Sequence, residues 1–178
     1  MMDIVQNSIS AKATEIGITV YESKPEDRLV ITITDNGRGM TREQVQSVIN
    51  PFYTTRTTRP VGLGVPLFKM EAEMTGGSLE VQSELGKGTV IKAVFVPSHI
   101  DMIPLGDINA TVLPLITGNP EINFMFSRVY VDDKGETREF SIKTSELVEI
   151  LGDIPLASPD VVLWIRDFLK ENTQELLG

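Results

Sequence analysis

The chain has 178 residues, 41% of them hydrophobic and 23% charged, which suits one ordered domain, or one with a small extension, and excludes a low-complexity tract. A net charge of −9 without a Lys/Arg stripe argues against nucleic acid as a partner, and the lack of cysteine excludes disulfides, iron–sulfur clusters and thiolate zinc sites. Apolar runs such as Val112 to Ile116 fall far short of the roughly 18 residues of a membrane span and no signal-peptide pattern is visible, so no membrane partner is expected and the cytoplasm is the expected location.

The stretch "MDIVQNSISAKAT" predicts a helix with Ile4, Ser8 and Ala11 on one stripe. It begins without a capping residue, which predicts a truncated start. Alternation of Ile16, Ile18 and Val20 predicts a strand, "SKPED" a turn, and Leu29 to Asp35 a second strand that closes a hairpin. On that second strand Leu29, Ile31, Ile33 and Asp35 share one face, so a carboxylate lies on the apolar side. Such a group is costly unless hydrogen bonds reach it from the protein or from a ligand. The plain alternative is that Asp35 opens an Asp-Asn-Gly turn.

Thr41 with Gln44 three positions on has capping-box spacing, predicting a short helix from Arg42 to Ile49 that Pro51 ends. "TTRTTRPVGLG" reads as a loop, and Pro66 suits the first turn of a helix that runs to Thr75 and stops at Gly76-Gly77. Strands Ser78 to Ser83 and Thr89 to Val96 flank the turn "ELGKG". Up to Pro97 these elements predict an α+β fold, a mixed sheet covered by helices.

Beyond Pro97 the pattern predicts a helix over Ile108 to Ile116 despite Pro114, a strand over Ile122 to Val131, a hairpin turn at "DDKG", and a strand over Thr137 to Lys143. A short helix from Ser145 to Leu151 precedes a longer one that Ser158, Pro159 and Asp160 start and that runs to Leu177. The expected organisation is a domain over 1–98 and a small C-terminal α+β extension over 99–178, read as packing that covers the sheet. His99, the only histidine, reads as a surface-loop residue, since one histidine cannot assemble a metal site.

Four short features carry chemistry. Asp3 and Asn7 are four apart on one helix face, and their oxygens suit magnesium, which takes few protein ligands and completes its shell with water and phosphate. In "VGLGVP", Gly62 and Gly64 let backbone amides approach an anion ahead of a helix N-terminus. The others are "TITDNGRGMT", which contains Asp35, and the hairpin turn "GKGT".

In order and spacing the four resemble the GHKL ATPase superfamily of gyrase, a heat-shock chaperone, histidine kinases and mismatch-repair ATPases. "DIVQNS" resembles its N-box, "DNGRGM" its first glycine box, "PFYTTR" the start of its mobile lid, "GLGVP" its second glycine box and "SELGKGT" its final strand turn. The resemblance, over Asp3 to Pro97, implies a two-layer sandwich of the Bergerat type that binds ATP and magnesium. It implies that Asp35 accepts from the adenine 6-amino group, with Gly37 and Gly39 leaving space beside the base and Met40 as an apolar wall. Asn7 would hold magnesium and phosphate oxygens. Gly62, Leu63, Gly64 and Val65 would form the phosphate loop, and Thr89 would support the adenine end. Arg56 and Arg59 would lie in the lid, and Lys69 would face solvent.

From "PFYTTR" to "GKGT" the chain is similar to sensor histidine kinases, whereas "NSISAKAT" is similar to the mismatch-repair branch. There a Glu four residues before the Asn activates water; here that position is Asp3, a candidate base one methylene shorter, and Ser10 and Lys12 replace an Asp and a Gly. Histidine kinases carry their acceptor histidine on a dimerisation helix ahead of the ATP domain, and no such segment precedes Asp3. The expected function is therefore an ATP-binding domain acting as a protein kinase or ATP-dependent regulator on a partner in trans. The alternative is an ATP-gated interaction module or slow ATPase. Expected partners are ATP, an unidentified acceptor protein and, as a further candidate, a second copy of the chain.

Overall fold

The computed structural model describes residues 1–50 and 63–178. Its elements in chain order are α1 (Met2–Ser10), β1 (Glu15–Ser23), β2 (Arg28–Asp35), α2 (Arg42–Ile49), α3 (Gly64–Met74), β3 (Ser78–Glu84) and β4 (Gly88–Phe95). They continue as α4 (Ile108–Gly118), β5 (Asn123–Val131), β6 (Thr137–Lys143), α5 (Thr144–Leu151) and α6 (Pro159–Leu177). The strands form one mixed sheet in the order β3-β4-β2-β1-β5-β6, so the fold is α+β with helices packed on the sheet.

Alternation puts Ile16, Ile18, Val20, Leu29, Ile31, Ile33, Ile91, Ala93 and Phe95 on one buried face, joined by Phe124, Phe126 and Ile142. α1 and α3 pack against β2, β3 and β4, while α4 and α6 pack on each other and over β5. The opposite face carries a row of Lys92, Thr32, Thr19 and Ser127 across four strands.

The C-terminal segment lengthens the sheet as well as covering it. β5 runs parallel to β1 from Glu15↔Asn123 to Ser23↔Val131, and β6 closes the edge antiparallel to β5. Hydrogen bonding therefore continues across residue 98 without a break. A ring series, Phe126 to Phe140 to Phe168 to Trp164, ties β5 and β6 to α6. Asp107 caps α4 by accepting from the Ala110 amide at 3.0 Å. Ser158, expected to do the same for α6, makes no side-chain cap bond, and Pro159 at the first turn is what marks that start.

α1 ends in a left-handed cap that the sequence hides. Ala13 N–H donates to the Ser8 carbonyl at 3.2 Å and Lys12 N–H to Ile9 at 3.0 Å, with Lys12 at φ 62°. This is the position where the mismatch-repair pattern carries glycine, so Lys12 keeps the turn at a steric cost of about 1–2 kcal/mol. Lys12→Gly should accordingly raise the melting temperature by about 1–4 °C in thermal unfolding. An unchanged or lower midpoint would show that the turn is unstrained.

Candidate functional site

β2 carries Asp35 at its last position, on the buried face, where its neighbours in register are Ile16 and Thr89. Two segments supply donors to the half-buried carboxylate. Ser8 Oγ donates to Oδ2 at 2.6 Å, and Gly37 N–H donates to Oδ1 at 2.9 Å. The cost of placing a carboxylate there is thus offset by one charge-assisted bond to each oxygen. Asn36 turns the other way: its Oδ1 accepts the Thr14 and Glu15 amides at 2.9 Å, and its Nδ2 donates to Thr14 Oγ1 at 2.9 Å.

The glycine turn is clamped on both sides. Arg38 N–H donates to the Ala11 carbonyl at 3.0 Å, and Gly86 N–H from the β3–β4 turn donates to the Arg38 carbonyl at 2.8 Å. Ser83 Oγ accepts the Met40 amide at 2.9 Å, donates to the Gly88 carbonyl at 2.8 Å and lies 2.9 Å from Thr89 Oγ1. Gly39, at φ 66°, leaves room for backbone: a Cβ there would lie 1.9 Å from the Glu84 carbonyl oxygen, and one on Gly88 1.9 Å from that of Asp35. A Cβ on Gly37 would meet Ala11 at 2.9 Å and Asp35 Oδ1 at 3.0 Å. The bareness of these glycines is used by protein packing around Asp35, a tighter demand than space beside a ligand.

At the second pole, α3 begins against α1. A Cβ on Gly64 would lie 2.6 Å from Asp3 Cβ and 3.4 Å from Asp3 Oδ2, so the exposed Asp3 carboxylate stands beside the first turn of α3. Leu63, at the N-cap of that helix, makes no side-chain cap bond, and a helix N-terminus of this kind favours an anion. Asn7, one turn after Asp3, is exposed on the same side of α1.

Of the other predicted residues, Leu63 is exposed at 59% and Val65 is buried at 1%, so Val65 anchors α3 in the core and contributes backbone alone to any ligand. Lys69 pairs with Glu73 at 3.6 Å on the α3 surface. Gly62, Arg56, Arg59 and Pro51 lie outside the described residues. Ser8 and Ser83, which touch the predicted residues directly, are additions from the structure; the one sequence signal for Ser8 is its polar side chain on an otherwise apolar stripe. A cavity of about 290 Å³, walled by Leu29, Ile31, Phe68, Phe95, Met102 and Ile108, lies at the other end of β2 and holds none of the motif residues.

With this geometry in place, residues 1–100 match the family described as histidine kinase-, DNA gyrase B-, and HSP90-like ATPase, and the chain belongs to that family. Among curated relatives, sporulation kinase C of Bacillus subtilis is 32% identical over 93 residues, 52% of this chain and 22% of that protein. The sensor histidine kinase ZraS of Salmonella typhi is 35% identical over 92 residues, 51% of this chain and 19% of that protein. The sensor protein SrrB of Staphylococcus aureus is 44% identical over 80 residues, 42% of this chain and 13% of that protein. The chain thus spans about a fifth or less of the length of these relatives. The ADP-complexed ATPase domain of Aquifex aeolicus MutL is similar at a TM-score of 0.44 and 20% identity, covering 83% of this chain and 63% of that one.

Gly86 and Gly39 differ in what surrounds them. Gly86 has φ 79° with nothing within 4 Å of where a Cβ would sit, whereas Gly39 has both a positive φ and the Glu84 clash. Gly86→Ala should cost only the backbone strain, about 1 kcal/mol, and Gly39→Ala at least about 2 kcal/mol more in urea unfolding. Equal costs would mean that the glycine turn and the β3–β4 turn are not clamped.

Proposed function

We propose that the chain is a magnesium- and ATP-binding domain of histidine-kinase type that acts in trans, as a protein kinase or ATP-dependent regulator of a partner protein. The observation that carries this reading is the Asp35 carboxylate, fixed as an acceptor at the apolar end of β2. It suits a base amino group, while Asn7 and the start of α3, with Asp3 beside it, suit magnesium and the phosphates.

The donor set fits magnesium. Among the described residues no three acidic or histidine side chains gather into a cage, so Asn7 would offer one amide oxygen and leave the rest of an octahedron to water and phosphate. Bound there, the ion supplies charge neutralisation for phosphoryl transfer. The chain's own residues then orient the nucleotide. Asp3, beside the start of α3, would be the group to take a proton from a water or an acceptor hydroxyl near the terminal phosphate.

On this reading the acceptor is a group on a partner protein. His99 lies on the exposed loop after β4, where its Nδ1 accepts the Asp101 amide at 3.2 Å. Leu63, Leu67, Met70 and Met74 form an exposed apolar stripe along α3, at 59%, 46%, 51% and 50% exposure, starting at the second glycine motif. The stripe gives a partner a place to dock beside the phosphate end. It also favours the second reading, an interaction module whose output is ATP-dependent association. Among the described residues no helix is long and apolar enough to cross a membrane.

Single-turnover incubation with magnesium and γ-labelled ATP tests the reading, with bound ATP, free phosphate and labelled protein separated. Intact bound ATP is expected for the chain alone, and free phosphate at a rate abolished by Asp3→Asn would make it an ATPase instead. Asp35→Ala should weaken ATP binding by at least about tenfold in calorimetry, the worth of a hydrogen bond to a charged group. Asn7→Ala should weaken binding mainly when magnesium is present; equal loss with and without the metal would remove its metal role.

A further inference from the structure

Ser8 is 4% exposed, on the buried stripe of α1 beside Ile4 and Val5. A serine inside a helix ordinarily bonds back to the carbonyl four residues earlier. Ser8 instead sends its hydroxyl across 27 positions of sequence to Asp35 Oδ2 at 2.6 Å. That bond changes what Asp35 can do. A carboxylate turns easily about its last torsion, and the Gly37 amide on Oδ1 leaves that rotation to be fixed by whatever holds Oδ2. With one donor on each oxygen, from two different segments, the plane is set. Each oxygen keeps one lone pair for a ligand, and neither offers a proton.

We propose that Ser8 is a positioning residue that makes this site selective for a 6-aminopurine, by holding the Asp35 carboxylate as a fixed acceptor toward the 6-position of the base. The inference rests on Asp35 as the base anchor. A 6-amino group meets a matched acceptor, a 6-oxo group sets oxygen against oxygen, and a purine without a 6-substituent leaves the acceptor unpaired. Without the Ser8 hydroxyl the carboxylate turns to suit water, and the penalty for lacking a 6-amino group shrinks.

Calorimetry with ATP and with purine riboside triphosphate, which lacks the 6-amino group, separates the two ideas. The wild-type chain is expected to prefer ATP by about tenfold or more. Ser8→Ala should lower that ratio by about fivefold, nearly all of it through weaker ATP binding. Ser8→Cys keeps the volume with a weak donor and carries the test if the alanine variant does not fold; its ratio should fall in the same direction. Equal weakening of both nucleotides, or an unchanged ratio in a folded variant, overturns the role of Ser8 while leaving Asp35 as anchor. A wild-type chain that binds both nucleotides alike overturns the Asp35 reading, and this one with it.

Discussion

The Asp35 carboxylate, placed on the apolar side of β2 and held there by donors from two other segments, is the constraint on which the site depends. Left unpartnered it would cost more than a surface salt bridge returns. Ser8 reaches it from α1 and Gly37 from the glycine turn, while Asn36 ties that turn to the start of β1. Ser83 and Gly86 lock the same turn to the β3–β4 hairpin. Three stretches distant in sequence, the α1–β1 region, the end of β2 with its glycine turn and the β3–β4 hairpin, thus converge around a single carboxylate. A fixed acceptor in a preformed cradle binds without the entropy of ordering it.

The C-terminal segment supports that cradle from the far side. β5 pairs with β1 along its length, and Asn123 N–H donates to the Thr14 carbonyl at 2.8 Å, next to the Thr14 amide that Asn36 holds. Phe124 and Phe126 are buried at 1% and lie in register with Ile16 and Ile18. The start of β1 is therefore fixed by β2 on one side and β5 on the other. Loosening the tail would loosen the strand that carries the partner of Asn36, so the extension and the Asp35 end of the sheet share one network.

Much of this was legible because it is local. Alternation located β1, β2, β5 and β6; the Thr41/Gln44 capping box gave α2 its start, and both halves of that box are formed. The position of Asp35 on the apolar face followed from counting by two along β2. What was hidden is non-local. Ser8 counts as one polar residue on a helical stripe until β2 is brought beneath α1. The parallel pairing of β5 with β1 leaves no periodic trace, and the left-handed turn at Lys12 is masked because lysine stands where glycine would advertise it. The need for glycine at Gly39 and Gly88 comes from carbonyls on another segment, which spacing alone does not reveal.

The central claim is that Asp35 anchors the base of a bound adenine nucleotide while Asn7 and the start of α3 receive its phosphates. A crystal structure of the chain with magnesium and a non-hydrolysable ATP analogue tests it most directly. The account predicts the 6-amino nitrogen within hydrogen-bond distance of an Asp35 oxygen, with the Ser8 and Gly37 bonds intact and the phosphates beside Asn7 and Gly64. A base seated elsewhere, with Asp35 still satisfied only by protein donors, would contradict it.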